Sequence, residues 1–179
     1  MSSKQRRFKQ RSRAIMVVAI IVAVGLVVTG LVLAVTKWSS QAIEDPRALT
    51  IEITHGGKTE KVHPYRICDL FEKDSCTAIE SNSQHIQLPP EETAELNVGS
   101  TVGSNAWAVQ RFFADESVNS STKKSPGEAT TETIAGSAAV NGERTPLGVV
   151  EVSTALVGKN AAGEETTYGI TWSIVNDHS

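Results

Sequence analysis

Two hydrophobic rhythms divide this chain. Residues 14–36 form an apolar run of 23 positions without a charge. As a helix rising about 1.5 Å per residue the run reaches roughly 34 Å, enough for a bilayer core of about 30 Å. From Leu49 onward the period changes to two. Leu49, Ile51 and Ile53 alternate with Thr50, Glu52 and Thr54, the pattern of a strand with one buried face. Gly56-Gly57 then supplies the positive φ angles of a tight hairpin, and the chain returns through Thr59, Lys61 and Val62 toward Tyr65 and Ile67.

Alternation recurs over residues 95–98, 106–113 and 131–140, and is clearest at the end. There Val150, Val152 and Leu156 share one face, as do Tyr168, Ile170, Trp172 and Ile174. The glycine-bounded stretch 158–163 between them predicts a C-terminal hairpin, and Asn141-Gly142 predicts a second turn of the type I′ kind. No long stretch outside the apolar run carries a helical period. The expected fold is therefore mainly β: an N-terminal transmembrane helix followed by one small Ig-like β-sandwich. Residues 117–130 break the pattern, being rich in Ser, Thr and Lys around Pro126-Gly127, and are expected to form a mobile loop. Asn119-Ser120-Ser121 matches a glycosylation sequon, read here as a chance match. The organisation read from the chain is a basic tail over 1–13, a span over 14–36, a stalk over 37–47 and a β-domain over 48–179.

Charge gives this organisation a direction. Seven of the 17 basic residues lie at or before Lys37, and all 20 acidic residues lie at or after Glu44. From Trp38 onward that leaves 10 basic against 20 acidic residues, a formal charge of −10. A positive flank stays cytoplasmic, so the β-domain is expected on the extracytoplasmic side. The apolar run exceeds the roughly 7–15 residues of a cleaved signal core and ends without a small-x-small cleavage site, which favours an uncleaved anchor. Lys37 and Trp38 suit the membrane–water interface. Gly25-x-x-x-Thr29 and Gly30-x-x-x-Ala34 permit helix–helix contact, although glycine is common in such helices. The tail's bases could also bind anionic lipid.

Few residues suggest chemistry. Cys68 and Cys76 are the only cysteines, and in an oxidising compartment an even count reads as a disulfide. His55, His63 and His85 form no paired ligand motif. Glu80, Glu91, Glu92 and Glu95 lack the alternating spacing of a calcium loop and read as a solvated face. Gly99-Ser-Thr-Val-Gly103 only superficially resembles a nucleophile elbow, since no helix is expected after it. The acidic domain argues against nucleic acid. No catalytic, cofactor or metal residues are assigned.

The remaining candidates for ligand or partner contact are Trp107, Arg111, Phe112 and Phe113. Trp107 has core packing as its default reading and ligand stacking as the alternative. Arg111 shares a predicted strand face with Trp107, Val109 and Phe113. It is either an edge residue reaching for water or the partner of a buried anion, and the edge reading is preferred.

The order of motifs resembles an actinobacterial family of single-pass envelope proteins known as domain of unknown function 2771. The span comes first, then a strand ending His55-Gly56, then Pro64-Tyr65 and the spaced pair Cys68 and Cys76. Leu88-Pro89, Leu96-x-Val98, Ala106-Trp107, Leu147-Gly148-Val149 and Trp172-Ser173-Ile174 follow. Two departures stand out: no proline precedes Trp107 in Asn105-Ala106-Trp107, and the loop from Ser117 is longer than the family's. The resemblance implies an actinobacterial cell-envelope setting and supplies no activity and no catalytic residues. The expected function is a non-catalytic, membrane-anchored accessory or scaffolding subunit of a larger respiratory or envelope assembly. The alternative is a β-domain that binds an envelope lipid or glycan, since aromatic residues on a β-face can line an apolar cleft.

Overall fold

The computed structural model describes residues 42–177, and the readings placed on the basic tail, the span over 14–36, Lys37 and Trp38 lie outside the described residues. Among those described, no helix is long and apolar enough to cross a membrane. Alternating burial organises them into strands. β1 (Ile51–His55) buries Ile51 and Ile53 at 1% exposure each. It turns through Gly56 and Gly57, at φ +53° and +75°, into β2 (Lys58–Val62). β3 (Arg66–Asp69), the two-residue β4 (Thr77–Ala78) and β5 (Gln84–Ile86) follow. Next come β6 (Thr93–Asn97), β7 (Trp107–Phe113), β8 (Ser120–Lys124), β9 (Thr131–Ala135) and β10 (Ser137–Val140). The chain closes on β11 (Glu143–Lys159) and β12 (Glu165–Asn176).

These strands make two sheets. The smaller has the order β2-β1-β6-β9. The larger runs β4-β3-β12-β11-β7-β8, with β10 on the first part of β11 and β5 parallel to β12. Their inner faces meet in one hydrophobic core, where Ile51, Ile53, Leu96 and Ile134 from the small sheet join Trp107, Val109, Val152, Ile170 and Trp172 from the large one. This is a β-sandwich, as the period-two pattern predicts. The C-terminal hairpin is its longest element, paired from Val149↔Val175 to Lys159↔Glu165. Asn141 and Gly142, both at positive φ, form the β10–β11 turn. The two core indoles each find a carbonyl, Trp107 Nε1 donating to Ala129 and Trp172 Nε1 to Leu49, as buried indoles require.

Three expectations are corrected. The segment 117–130 is not a loop of irregular structure: it carries β8, which pairs along β7 from Trp107↔Lys124 to Arg111↔Ser120. Its alternating Ser, Thr and Lys lack the apolar residues that announce a strand, because an edge strand needs few. The proposed stalk over 37–47 ends too late. Ile43 already bridges Gly158, its N–H donating to the Val157 carbonyl at 3.0 Å, and its side chain packs on the core. The domain thus begins before residue 48. Finally, Gly99–Gly103 is a single helical turn, α1, held down by buried Val102. Thr101, not a serine, occupies its centre, so the nucleophile elbow remains unsupported.

Candidate functional site

The residues singled out around Trp107 are occupied within the fold. Trp107 is 2% exposed in the core, which fits the packing reading. Arg111 is not an edge residue reaching for water. Arg111 shares the inward face of β7 with buried Trp107 and Val109, and with β8 covering the flank its side chain is only 11% exposed. Its Nη2 meets Glu132 Oε1 on β9 at 2.6 Å, and its Nη1 donates to Thr122 Oγ1 at 3.1 Å. Lys124 Nζ reaches the other Glu132 oxygen at 2.9 Å. Burial pushes the Glu132 carboxyl up, but the hydrogen bonds from Lys124 and Arg111 outweigh it and hold the group below the usual glutamate range. The buried-anion reading therefore replaces the preferred one. Phe112 and Phe113 alternate to opposite sides of β7, and Phe113 packs against the core. The four candidates do not line one cleft.

The histidines are dispersed. His63 is exposed before Pro64, and His85 Nδ1 pairs with Asp177 Oδ1 at 3.0 Å on the surface. His55 Nε2 lies 3.6 Å from Glu60 Oε1 and makes no hydrogen bond among the described residues, while the other Glu60 oxygen accepts from the Gln84 side-chain amide. Among the described residues no three His, Cys, Asp or Glu side chains converge as a metal-binding set. Glu80, Glu91, Glu92 and Glu95 are all exposed. The Asn119 side-chain oxygen accepts from Phe113 N, tying the turn between β7 and β8.

A more distinctive arrangement sits at the opposite end of the large sheet. Cys68 and Cys76 are disulfide-bonded with their Cα atoms 4.0 Å apart, as the cysteine count predicts. The bridge closes a short loop whose geometry Asp69 dictates. Its Oδ1 accepts from Phe71 N at 3.0 Å and from the Thr166 hydroxyl at 2.7 Å, while its carbonyl accepts from Ser75 Oγ at 2.7 Å. Leu70 N donates to the Thr167 carbonyl on β12. So constrained, the loop presents Phe71 at 82% and Leu70 at 55% exposure; with Val157 at 50% these are the exposed large hydrophobic residues among those described.

Leu70 and Val157 lie on one face of the large sheet, and Phe71 adjoins Leu70 in the chain. Cross-strand register sets Ala155 and Cys68 on either side of Gly169, and Val157 opposite Thr167. Leu70 lies over Gly169 so closely that an added Cβ there would sit 3.0 Å from Leu70 Cδ2. Glycine at this position leaves room for the Leu70 side chain against the sheet. Beside the loop runs an open cleft of about 600 Å³, lined by Asp45 and Arg47, by Ile67, Asp69 and Tyr168, and by Lys159 at the hairpin tip. Sequence reasoning missed Leu70-Phe71, although an apolar pair inside an otherwise polar cysteine-bounded loop was a visible signal.

Comparison with known proteins agrees with these bounds. The model of one family, described as "Protein of unknown function (DUF2771)", matches residues 44–177. No curated protein and no solved structure matches the chain.

Proposed function

The chain belongs to the DUF2771 family, a membership that assigns no activity, and we propose a non-catalytic accessory or scaffolding subunit that is anchored in a cell membrane and docks its β-domain on a larger assembly. The observation that carries this reading is the exposed Leu70, Phe71 and Val157 on a sandwich whose candidates Trp107, Arg111 and Phe113 are turned inward. Single exposed hydrophobic residues are ordinary, but adjoining ones on a constrained loop mark contact surfaces. The apolar run over 14–36, flanked by six bases, supports single-pass anchoring with the domain on the extracytoplasmic side. The disulfide agrees with an oxidising compartment. An actinobacterial envelope setting is part of the proposal, and so is an immunoglobulin-like classification, which the layering of two mainly antiparallel sheets over one core supports.

The test is topological. Alkaline phosphatase fused to the C-terminus should be active and green fluorescent protein dark. The reverse pattern contradicts the proposed side, and active phosphatase released into the medium contradicts an uncleaved anchor.

The cleft beside Tyr168 favours a second reading, an envelope glycan or lipid headgroup held among its hydroxyl and carboxylate groups. Chemical-shift changes at Tyr168 and Asp69 on adding envelope glycan fragments would support it, and an unchanged spectrum at saturating concentration would remove it.

A further inference from the structure

Resting on the accessory-subunit reading, we infer that the disulfide loop is its docking element, and that its partner is a protein surface offering an apolar pocket for Phe71 within a basic rim. Three observations converge.

The first is apolar continuity. Leu70 lies over Gly169 beside Ala155, with Val157 two residues along the same face of β11 and Phe71 next to Leu70 in the chain, so a strip of exposed apolar residues runs from the outer face of the large sheet to the loop. An aromatic side chain entering a pocket at the centre of such a strip is the usual anchor of a protein interface.

The second is preorganisation. The Cys68–Cys76 bridge, the Asp69 carboxylate and the Leu70–Thr167 backbone bond fix the loop before any partner arrives. Ordering costs that a free loop would carry on binding are then already met. A loop that needed only to close a turn would not require this many ties around its most exposed apolar residue.

The third is charge, and it selects the occupant. After Phe71 the loop carries Glu72 and Asp74 against Lys73, and the cleft beside it is lined by Glu44, Asp45, Asp69 and Glu72 against Arg47 and Lys159. An acidic rim complements a basic one and repels both an anionic lipid surface and a second copy of itself. A protein pocket bordered by Lys and Arg satisfies both the apolar tip and the acidic rim.

The experiment uses the full chain in its native membranes, with Phe71 replaced by photoreactive benzoyl-phenylalanine and Lys58, on the distant β1–β2 hairpin, replaced likewise as control. Illumination should give an adduct from position 71, not from 58, with a different protein, and peptide mapping should place it in an apolar segment flanked by Lys or Arg. Phe71→Asp should weaken binding of the co-purifying assembly roughly 30-fold, the scale of an interface anchor. Phe71→Leu should retain most of it, and raised salt should lower recovery. Since Phe71 is 82% exposed, the melting temperature of Phe71→Asp should match the natural chain and exclude misfolding. Adducts with lipid alone, or with a second copy of the chain alone, would overturn the inference. So would an assembly undiminished by Phe71→Asp, which leaves the accessory reading standing. Absence of any assembly with the natural chain overturns that reading itself.

Discussion

The Arg111 guanidinium and the Glu132 carboxylate meet at 2.6 Å although their strands, β7 and β9, belong to opposite sheets. With Lys124 they close one open side of the sandwich by charge where the rest of the core closes by apolar contact. Removing one partner strands the other in a largely dry site. Glu132→Ala should therefore destabilise the domain by about 2–3 kcal/mol, read from urea unfolding. Arg111→Ala and Glu132→Ala together should cost less than the sum of the two. Additive losses would mean the pair is not coupled.

Acid should weaken the same closure. The Glu132 carboxyl is held below the usual glutamate range by Lys124 and Arg111 against the opposing effect of burial. A depressed folded value means that the contribution is fully present above the unfolded glutamate value of about 4.3. It disappears as pH falls through the lower folded one. Denaturation midpoints measured from pH 6 downward should fall in that window, and Glu132→Gln should flatten that part of the slope.

Trp107 offers a test of whether the core or a ligand explains an aromatic residue on β7. Buried to 2% exposure and hydrogen-bonded to Ala129, it should behave as a packing residue. Trp107→Ala should lower stability by about 3–5 kcal/mol in the absence of any added ligand. A variant that unfolds at the natural midpoint would show that the side chain does not hold the core.

The disulfide closes a loop of nine residues from Cys68 to Cys76, for which chain entropy gives about 2.5 kcal/mol. Replacing both cysteines by serine should lower the thermal midpoint without abolishing the fold, since the β1–β2 and β11–β12 hairpins form independently of it. Mass spectrometry of unreduced protein from the natural compartment should show a loss of two hydrogens, about 2 Da, as oxidation there implies. Free thiols would contradict the bridge and weaken the case for the compartment.

Legibility in the sequence followed the strength of the apolar period. The strands carrying Ile51 and Ile53, or Ile170, Trp172 and Ile174, were readable because each buries one full face. β8 was not, because its half-buried residues, Thr122 and Lys124, meet a polar part of the interior and carry no hydrophobic signature. Without β8, β7 reads as an edge and Arg111 as solvated, whereas Glu132 from the facing sheet is its partner. Gly99–Gly103 escaped because a single turn is shorter than any helical period. At the candidate site the disulfide was legible from two cysteines alone. The placement of Leu70 is not, because it lies against Gly169, far along the chain, a contact that only the strand register creates.

The native mass of the full chain, extracted from its own membranes in mild detergent, tests the accessory role most directly. The account predicts that the 19.1 kDa chain is recovered mainly within a larger assembly of reproducible composition, and that Phe71→Asp releases it. A natural chain found alone at 19.1 kDa, under conditions that preserve other membrane complexes, would contradict it.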